Sequence, residues 1–216
     1  EKVHRVTTDF TIDTQPCFDD EGKYLFFASS TQFNPTLGGF DLKPIWANQD
    51  GLYLVTLRED GENPFAPESD EVEVKEDKED EEEEMEPIKI DIEGLADRMI
   101  ALDVDPGNYF DLQYSDGKLF YASRPFQAGV GRSAWRRGID IMVFDMEERE
   151  TEKVLPKIHR FTLSADGKKI LYGTMEGFGI IDAKAEQEPA EKPLRTKEMQ
   201  AKIDPRAEWR QMFRDA

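Results

Sequence analysis

The chain repeats a pattern in which apolar runs are separated by short polar turns. Its clearest copy is Phe161–Thr174, where an alternating run leads to Asp166 and Gly167, a lysine, and the apolar run Ile170–Tyr172. Glycine supplies the positive φ that a tight turn needs, and aspartate bonds nearby backbone amides. The pattern therefore predicts a β-hairpin whose second strand is buried on both faces.

The same unit occurs three times. Aligned on its glycine, it recurs at Phe18–Ser29 and at Leu112–Ser123 with the order Gly-Lys-apolar-aromatic. The turn glycines Gly22, Gly117 and Gly167 lie 95 and 50 residues apart, and removing an acidic insertion and a long loop makes the first interval similar to the second. A period of roughly 40–50 residues is typical of propeller blades. We therefore predict an all-β chain, a β-propeller fragment of about three four-stranded blades.

The other apolar runs set the predicted boundaries of these blades. Val3–Thr7 is typical of an outer strand, so residues 1–7 are assigned to a preceding blade, and the three blades to 8–105, 106–156 and 157–196. Further strands are expected at Leu52–Leu57, Ile88–Ile92, Arg98–Val104, Ile139–Met146, Glu152–Leu155 and Phe178–Ala183, with a weak outer strand near Leu194.

The final residues, 197–216, predict a linker and the start of a helical domain. Asp204 is a candidate N-cap, and Pro205 then occupies the first helical position. An apolar stripe follows at helical spacing, formed by Trp209, Met212, Phe213 and Ala216. Such a stripe requires a covering surface, from the propeller or from a partner.

The charge of the chain is concentrated in one segment. The formal net charge is −19, and Glu62–Glu86 holds fourteen acids and two lysines. This segment cannot bury enough apolar surface to fold, so we predict a disordered, solvated insertion at 62–86. It has neither the glycine nor the ligand spacing of a calcium loop, so no metal is predicted. An acidic field also argues against nucleic acid as a partner.

No catalytic constellation is apparent in the sequence. Cys17 is the only cysteine and is predicted to be a buried structural thiol, while His4 and His159 precede strands and are interpreted as structural. The sequence has no nucleophile elbow, no phosphate loop and no cluster of metal ligands at the usual spacing. We therefore predict no catalytic residue, no metal and no cofactor, and no apolar stretch is long enough to span a membrane.

One basic cluster opposes the overall charge. Arg124, Arg132, Arg136 and Arg137 surround Trp135 in the loop after the second unit. Because guanidinium groups bind carboxylates in a bidentate manner, Arg132, Arg136 and Arg137 are candidate contacts for a peptide carboxylate. The alternative, which we favour, is charge balance against the chain's own carboxylates.

Several segments resemble one family in the same order along the chain. They are Tyr24–Pro35 (YLFFASSTQFNP), Leu52–Asp60 (LYLVTLRED), Ile90–Tyr109 (IDIEGLADRMIALDVDPGNY) and Ile203–Ala216 (IDPRAEWRQMFRDA). The chain resembles the tricorn protease family over nearly its whole length. The resemblance implies the C-terminal part of a seven-bladed propeller, followed by the entry to a helical domain.

The resemblance also implies a parent protein that is a serine-type peptidase. It implies that this chain is a non-catalytic segment that channels or gates peptide substrates, with those peptides and the remaining domains of the parent as partners. The alternatives are a TolB-like interaction propeller without peptidase activity and a small β domain with a ligand site at the Arg loop. The implied compartment is the cytoplasm, with a periplasmic or exported location as the alternative. Exposed blade faces predict self-association into a homo-oligomer.

Overall fold

The computed structural model of the chain describes residues 3–7, 10–33, 35–37, 43–66, 88–126, 138–196, 199–200 and 204–215. Within these ranges, thirteen strands precede one α-helix. The strands are β1 (Asp13–Phe18), β2 (Tyr24–Ser29), β3 (Pro35–Leu37), β4 (Pro44–Trp46), β5 (Gly51–Thr56), β6 (Met99–Ala101), β7 (Tyr109–Ser115), β8 (Lys118–Ser123), β9 (Ile139–Asp145), β10 (Glu150–Ile158), β11 (Arg160–Leu163), β12 (Lys169–Gly173) and β13 (Phe178–Asp182). A 3-10 helix spans Leu95–Arg98, and the helix α1 spans Pro205–Asp215.

The strands form three antiparallel sheets that follow one another along the chain. The first has the order β1-β2-β5-β6, the second β7-β8-β9-β10, and the third β11-β12-β13. The short strands β3 and β4 pair with each other as a separate hairpin in the connection between β2 and β5. Each sheet begins with one of the Asp-Gly hairpins. Each copy of the sequence repeat therefore corresponds to one sheet.

The Asp-Gly turns, the first of which has Glu21 between Asp20 and Gly22, have two forms. In the second sheet, Asp116 and Gly117 both have positive φ, 49° and 73°, which is the two-residue hairpin turn that matches strand twist. In the first and third sheets the connection is longer, and the glycines Gly22 and Gly167 have φ of 69° and 65°. A Cβ on Gly167 would lie 1.9 Å from Oγ of Ser115 in the preceding sheet, so this turn also needs glycine for space.

The sheets stack face to face, and the middle sheet is packed on both sides. Neighbouring side chains of β8 point in opposite directions: Phe120 packs toward the third sheet and Tyr121 toward the first, each 1% exposed. The core between the first two sheets includes Phe26, Leu52, Leu54, Leu119 and Phe144. The core between the last two includes Ile141, Val143, Phe161, Ile170 and Tyr172. This packing explains why the second strand of each unit is almost continuously apolar.

Side-chain amides join the first strands of adjacent sheets. Gln15 of β1 accepts a hydrogen bond from the backbone N of Asp111 in β7, at 3.0 Å. Gln113 of β7 accepts one from the backbone N of Leu163 in β11, at 2.8 Å. Gln15 and Asp111 lie at bulges with positive φ, which expose backbone groups for this pairing. The first strands therefore form the inner edge of the stack.

Two predicted strands are wrong. The third sheet has three strands in the described residues. Leu194 makes one backbone hydrogen bond to that sheet, from its N to the Phe178 O at 2.7 Å. Pro189 and Pro193 lack the amide that a fourth strand would use. Ile88–Ile92 forms no ladder either, because β6 already pairs with β5 along that edge.

Other boundaries differ in length. The strand predicted at Arg98–Val104 is reduced to β6, whereas the one predicted at Glu152–Leu155 extends over all of β10. The hairpin of β3 and β4 lies in a segment whose sequence predicts only a loop. Val3–Thr7 has no paired strand among the described residues, and Val6 lies against the outer face of the first sheet.

The helix α1 begins as predicted. Oδ1 of Asp204 accepts a hydrogen bond from the backbone N of Arg206 at 3.0 Å, which caps the helix. Trp209, Met212 and Phe213 remain exposed, and no described residue of the helix is buried. The stripe is therefore not covered by the described part of the sheets. No described helix combines the length and the apolar character needed to cross a membrane.

Candidate functional site

The predicted arginine site falls partly outside the described residues. Arg132, Arg136 and Arg137, like Trp135, lie in the segment 127–137. The structure does describe both ends of that loop, Arg124–Phe126 and Gly138. The Arg124 guanidinium lies over the Phe110 ring, 4.8 Å from its centre, so this arginine packs on the inner strand β7.

These loop ends border a cleft between the described residues. The cleft has a volume of about 1160 Å³ and lies between the second and third sheets, at the end opposite the Asp-Gly turns. Apolar side chains of both sheets and of the following segment line it, among them Phe126, Tyr172, Met175, Phe178, Pro189 and Ala190. A cleft of this size accepts several side chains of an extended peptide.

Hydrogen bonds and a close backbone approach fix the walls of the cleft. Gly138 has a φ of 78°, and a Cβ there would lie 2.7 Å from the Ile158 carbonyl oxygen. The Tyr172 hydroxyl accepts a hydrogen bond from the backbone N of Ala190 at 2.8 Å, which holds the segment after β13 against the third sheet. The backbone N of His159 donates to the Gly173 carbonyl at 2.8 Å, closing the floor between β10 and β12.

The cleft carries charges of both signs. Arg124 and Lys157 line it together with Asp140, Glu176 and Glu191. Asp140 is engaged by the protein itself, since its carboxylate pairs with Lys153 Nζ at 2.7 Å and accepts the backbone N of Lys157 at 3.1 Å. Such a lining suits a ligand with charged termini and apolar side chains, as a peptide has.

No described lining residue forms a nucleophile-base pair. His159 lies in the cleft, but the described lining contains neither serine nor cysteine. His4 is exposed at the other end of the chain. Across the described residues, no group of three or more metal-ligating side chains has the geometry to hold a metal ion. The described lining offers a ligand apolar contacts, hydrogen-bonding groups and charged side chains.

The prediction that Cys17 is a buried thiol is wrong, because its side chain is half-buried. β1 is the inner strand of its sheet, and its residues alternate between partial burial and exposure. Burial raises the pKa of the Cys17 thiol, and the nearby Asp20 and Asp19 act in the same direction. The thiol is therefore protonated at neutral pH and is a poor nucleophile.

The opposite end of the stack keeps its carboxylates ionised. Burial opposes ionisation of Asp145, but hydrogen bonds from Lys118 and from the amides of Glu148 and Glu147 outweigh it and lower the pKa of that carboxyl group. The hydrogen bond from Lys169 likewise lowers the pKa of Asp182. Each lysine lies directly opposite its aspartate on the neighbouring strand. Both carboxylates are thus paired with a lysine at the end with the turns, whereas the cleft lies at the other end.

Sequence reasoning missed the cleft residues. In the sequence, Tyr172 belongs to a predicted buried strand, and Met175 and Phe178 are ordinary residues near a turn. The signal that could have found them is position, since loops at one end of successive blades converge. Their side chains meet only because the second and third sheets stack.

Comparison with known proteins agrees with this architecture. Residues 1–184 match the family model described as the tricorn protease second beta propeller domain. A putative tricorn-like protease C-terminal subunit of Sulfurisphaera tokodaii is 27% identical over 221 residues, covering 100% of this chain and 24% of that protein. A tricorn protease homolog of Saccharolobus solfataricus is 26% identical over 220 residues, covering 99% of this chain and 19% of that protein.

A solved structure shows the same fold. The crystal structure of the tricorn protease superposes with a TM-score of 0.65 at 20% sequence identity, over 84% of this chain and 17% of that chain. The predicted fold class, a β-propeller fragment with a C-terminal helix, is confirmed. The chain spans about a quarter or less of the length of these relatives.

Proposed function

Because the chain belongs to the family of the tricorn protease second beta propeller domain, we propose that it is a non-catalytic segment that passes peptides toward the active site of a tricorn-like serine peptidase. The proposed partners are peptide substrates and the remaining domains of that peptidase. In this proposal the chain binds and orients the peptide, and the bond is cleaved elsewhere in the polypeptide.

The observation that carries this proposal is the cleft between the second and third sheets. It is about 1160 Å³ in volume and open to solvent, and it combines apolar walls with charges of both signs. Its described lining contains neither serine nor cysteine. These properties support transient binding of a peptide, which a passage requires because a tightly held peptide would not move on.

The arginine hypothesis extends the same proposal. The segment that contains Arg132, Arg136 and Arg137 leaves and re-enters the described fold at the border of the cleft, after Phe126 and before Gly138. We propose that these arginines contact the carboxylate of a bound peptide. Bidentate guanidinium pairing supports this assignment.

The proposal predicts that narrowing the cleft slows cleavage of long peptides selectively. Met175 is 78% exposed and lines the cleft, so Met175→Trp should add bulk there without affecting folding. In the complete polypeptide that carries this chain, we expect kcat/KM for a peptide of about twelve residues to fall roughly tenfold. A short fluorogenic amide, which does not fill a passage, should be cleaved at the unchanged rate.

Glu148→Trp is the matched control, because Glu148 is exposed in the connection between β9 and β10, at the end of the stack opposite the cleft. It should leave both substrates unaffected. Equal losses for long and short substrates in Met175→Trp, or no loss for either, would contradict passage through this cleft.

The comparisons do not favour the alternative of a TolB-like propeller without a peptidase.

A further inference from the structure

A second concave surface lies beside the β3–β4 hairpin. We call it the hairpin groove; it has a volume of about 630 Å³ and is lined by Phe10, Phe33, Trp46, Gln32 and Gln49 together with three Ser and Thr residues. Phe10 precedes β1 and Phe33 follows β2, so the groove opens at the same end of the stack as the cleft. It is separate from the cleft, which lies between the other two sheets.

The aromatic side chains of the hairpin groove are exposed to an unusual degree. Phe10 is 95% exposed, Phe33 79% and Trp46 47%. The rings of Phe33 and Trp46 contact each other with centroids 5.0 Å apart. Clustered exposed aromatic residues indicate a binding surface, because each can bury a large apolar area with little loss of side-chain entropy.

The floor of the groove is held by hydrogen bonds. The backbone N of Gln32 donates to the Gln49 carbonyl at 2.9 Å, which ties together the two ends of the hairpin connection. The Thr31 and Tyr53 hydroxyls bond to each other at 2.7 Å. The aromatic pair therefore stands on an ordered base, and the side-chain amide of Gln49 adds a group that can bond a peptide backbone.

Charge decides which occupant fits. No described lining residue of the groove is charged, in a chain in which 35% of the residues are. The exposed helix α1 of a second copy is a poor match, because Arg206, Arg210 and Arg214 follow one another at i, i+4 spacing beside its apolar stripe. Those arginines would lose water in a groove whose described lining has no carboxylate. The acidic insertion is a poor occupant as well, because its carboxylates would lose water in a groove whose described lining has no cation.

We propose that the hairpin groove binds a neutral, extended peptide segment with aromatic or aliphatic side chains. This inference rests on the proposed function and adds the substrate class: the segment binds here through its apolar side chains, at the end of the stack where the cleft also opens. Aromatic-lined grooves recognise extended peptides in this way, with side chains packed on the rings and backbone groups bonded at the edge. Strongly charged segments are not retained.

Trp46 provides the readout for a test. The chain has three tryptophans, so Trp135→Phe with Trp209→Phe leaves Trp46 as the emitter. The probe is an acetylated and amidated heptapeptide of glycine, proline, phenylalanine and leucine. The comparison peptides have glutamate, or lysine, in place of phenylalanine and leucine. We expect a saturable change of Trp46 emission with the neutral peptide and none with either charged peptide.

A second pair of variants distinguishes binding in this groove from non-specific hydrophobic binding. In the same background, Phe33→Ser should weaken the affinity for the neutral peptide about tenfold, because it removes one ring of the aromatic pair. Ile180→Ser, at another exposed apolar position, should leave the affinity unchanged. Both positions are partly or largely exposed, so neither variant is expected to unfold.

Three outcomes would overturn the proposal. They are equal responses to neutral and charged peptides, no saturable response, and emission that changes with protein concentration before peptide is added, which would identify a second copy as the occupant. The assay involves no hydrolysis, so its failure is distinguishable from failure of the channelling proposal. That proposal is tested by Met175→Trp in a different part of the stack.

Discussion

Gly138→Ala is expected to lower the free energy of unfolding by about 2–5 kcal/mol. Gly138 has a φ of 78°, where a side chain is strained, and its new Cβ would lie 2.7 Å from the Ile158 carbonyl oxygen and 2.8 Å from the Lys157 carbonyl carbon. These are backbone atoms that cannot rotate away. The loss should be measured by urea denaturation followed by circular dichroism.

Gly117→Ala is the matched control for this substitution. Gly117 has a φ of 73°, but no described atom lies within 4 Å of the position that a Cβ would take there. It therefore carries the backbone strain without the clash, and we expect a loss of about 1–2 kcal/mol. Equal losses at the two glycines would show that β10 does not approach Gly138 closely, and the wall of the cleft would then be misplaced.

The second large effect concerns two leucines that differ in burial. Leu119 is 0% exposed between the first and second sheets, whereas Leu171 is 37% exposed on the free face of the third. Leu119→Ala should cost about 2–5 kcal/mol, as expected for a cavity in a packed core. Leu171→Ala should cost less than about 1 kcal/mol, because neighbouring side chains do not enclose it.

The same denaturation series measures both variants. Since a domain of this kind has a total stability of about 5–15 kcal/mol, Leu119→Ala removes a large share of it. Similar losses for the two leucines would contradict a stack with the second sheet in the middle. A larger loss at Leu171 would place another surface over the third sheet.

The turn pattern predicted the sheets but misaligned one of them. Alignment on glycine places Lys23, Lys118 and Lys168 at one position, whereas the strand registers make Tyr24, Lys118 and Lys169 equivalent. The reason is the two-residue turn of the second sheet, which is shorter than the connections of the other two. A one-residue offset moves a side chain to the opposite face of a strand. Sequence alignment alone therefore could not say which core Phe120 enters.

The site was less predictable than the fold, for a physical reason. The local periodicity of apolar residues predicts a strand, and the Asp-Gly turns mark where strands end. The cleft is made by residues far apart in sequence, such as Phe126 and Pro189, which meet through the stacking of sheets. The sequence did not predict the hairpin groove, because the connection before β3 has no regular alternation of apolar and polar residues. Self-association, the compartment and the disorder of the acidic insertion stay predictions.

If this chain contributes recognition and no covalent step, it should neither react with a serine-directed reagent nor hydrolyse a peptide. The most direct test incubates the 216-residue chain with a serine-reactive fluorophosphonate and, in parallel, with a fluorogenic peptide, and records the intact mass and the fluorescence. We predict an unmodified mass and no product above the buffer rate. A stoichiometric adduct on one serine, accompanied by peptide turnover that the reagent abolishes, would contradict a role in recognition alone.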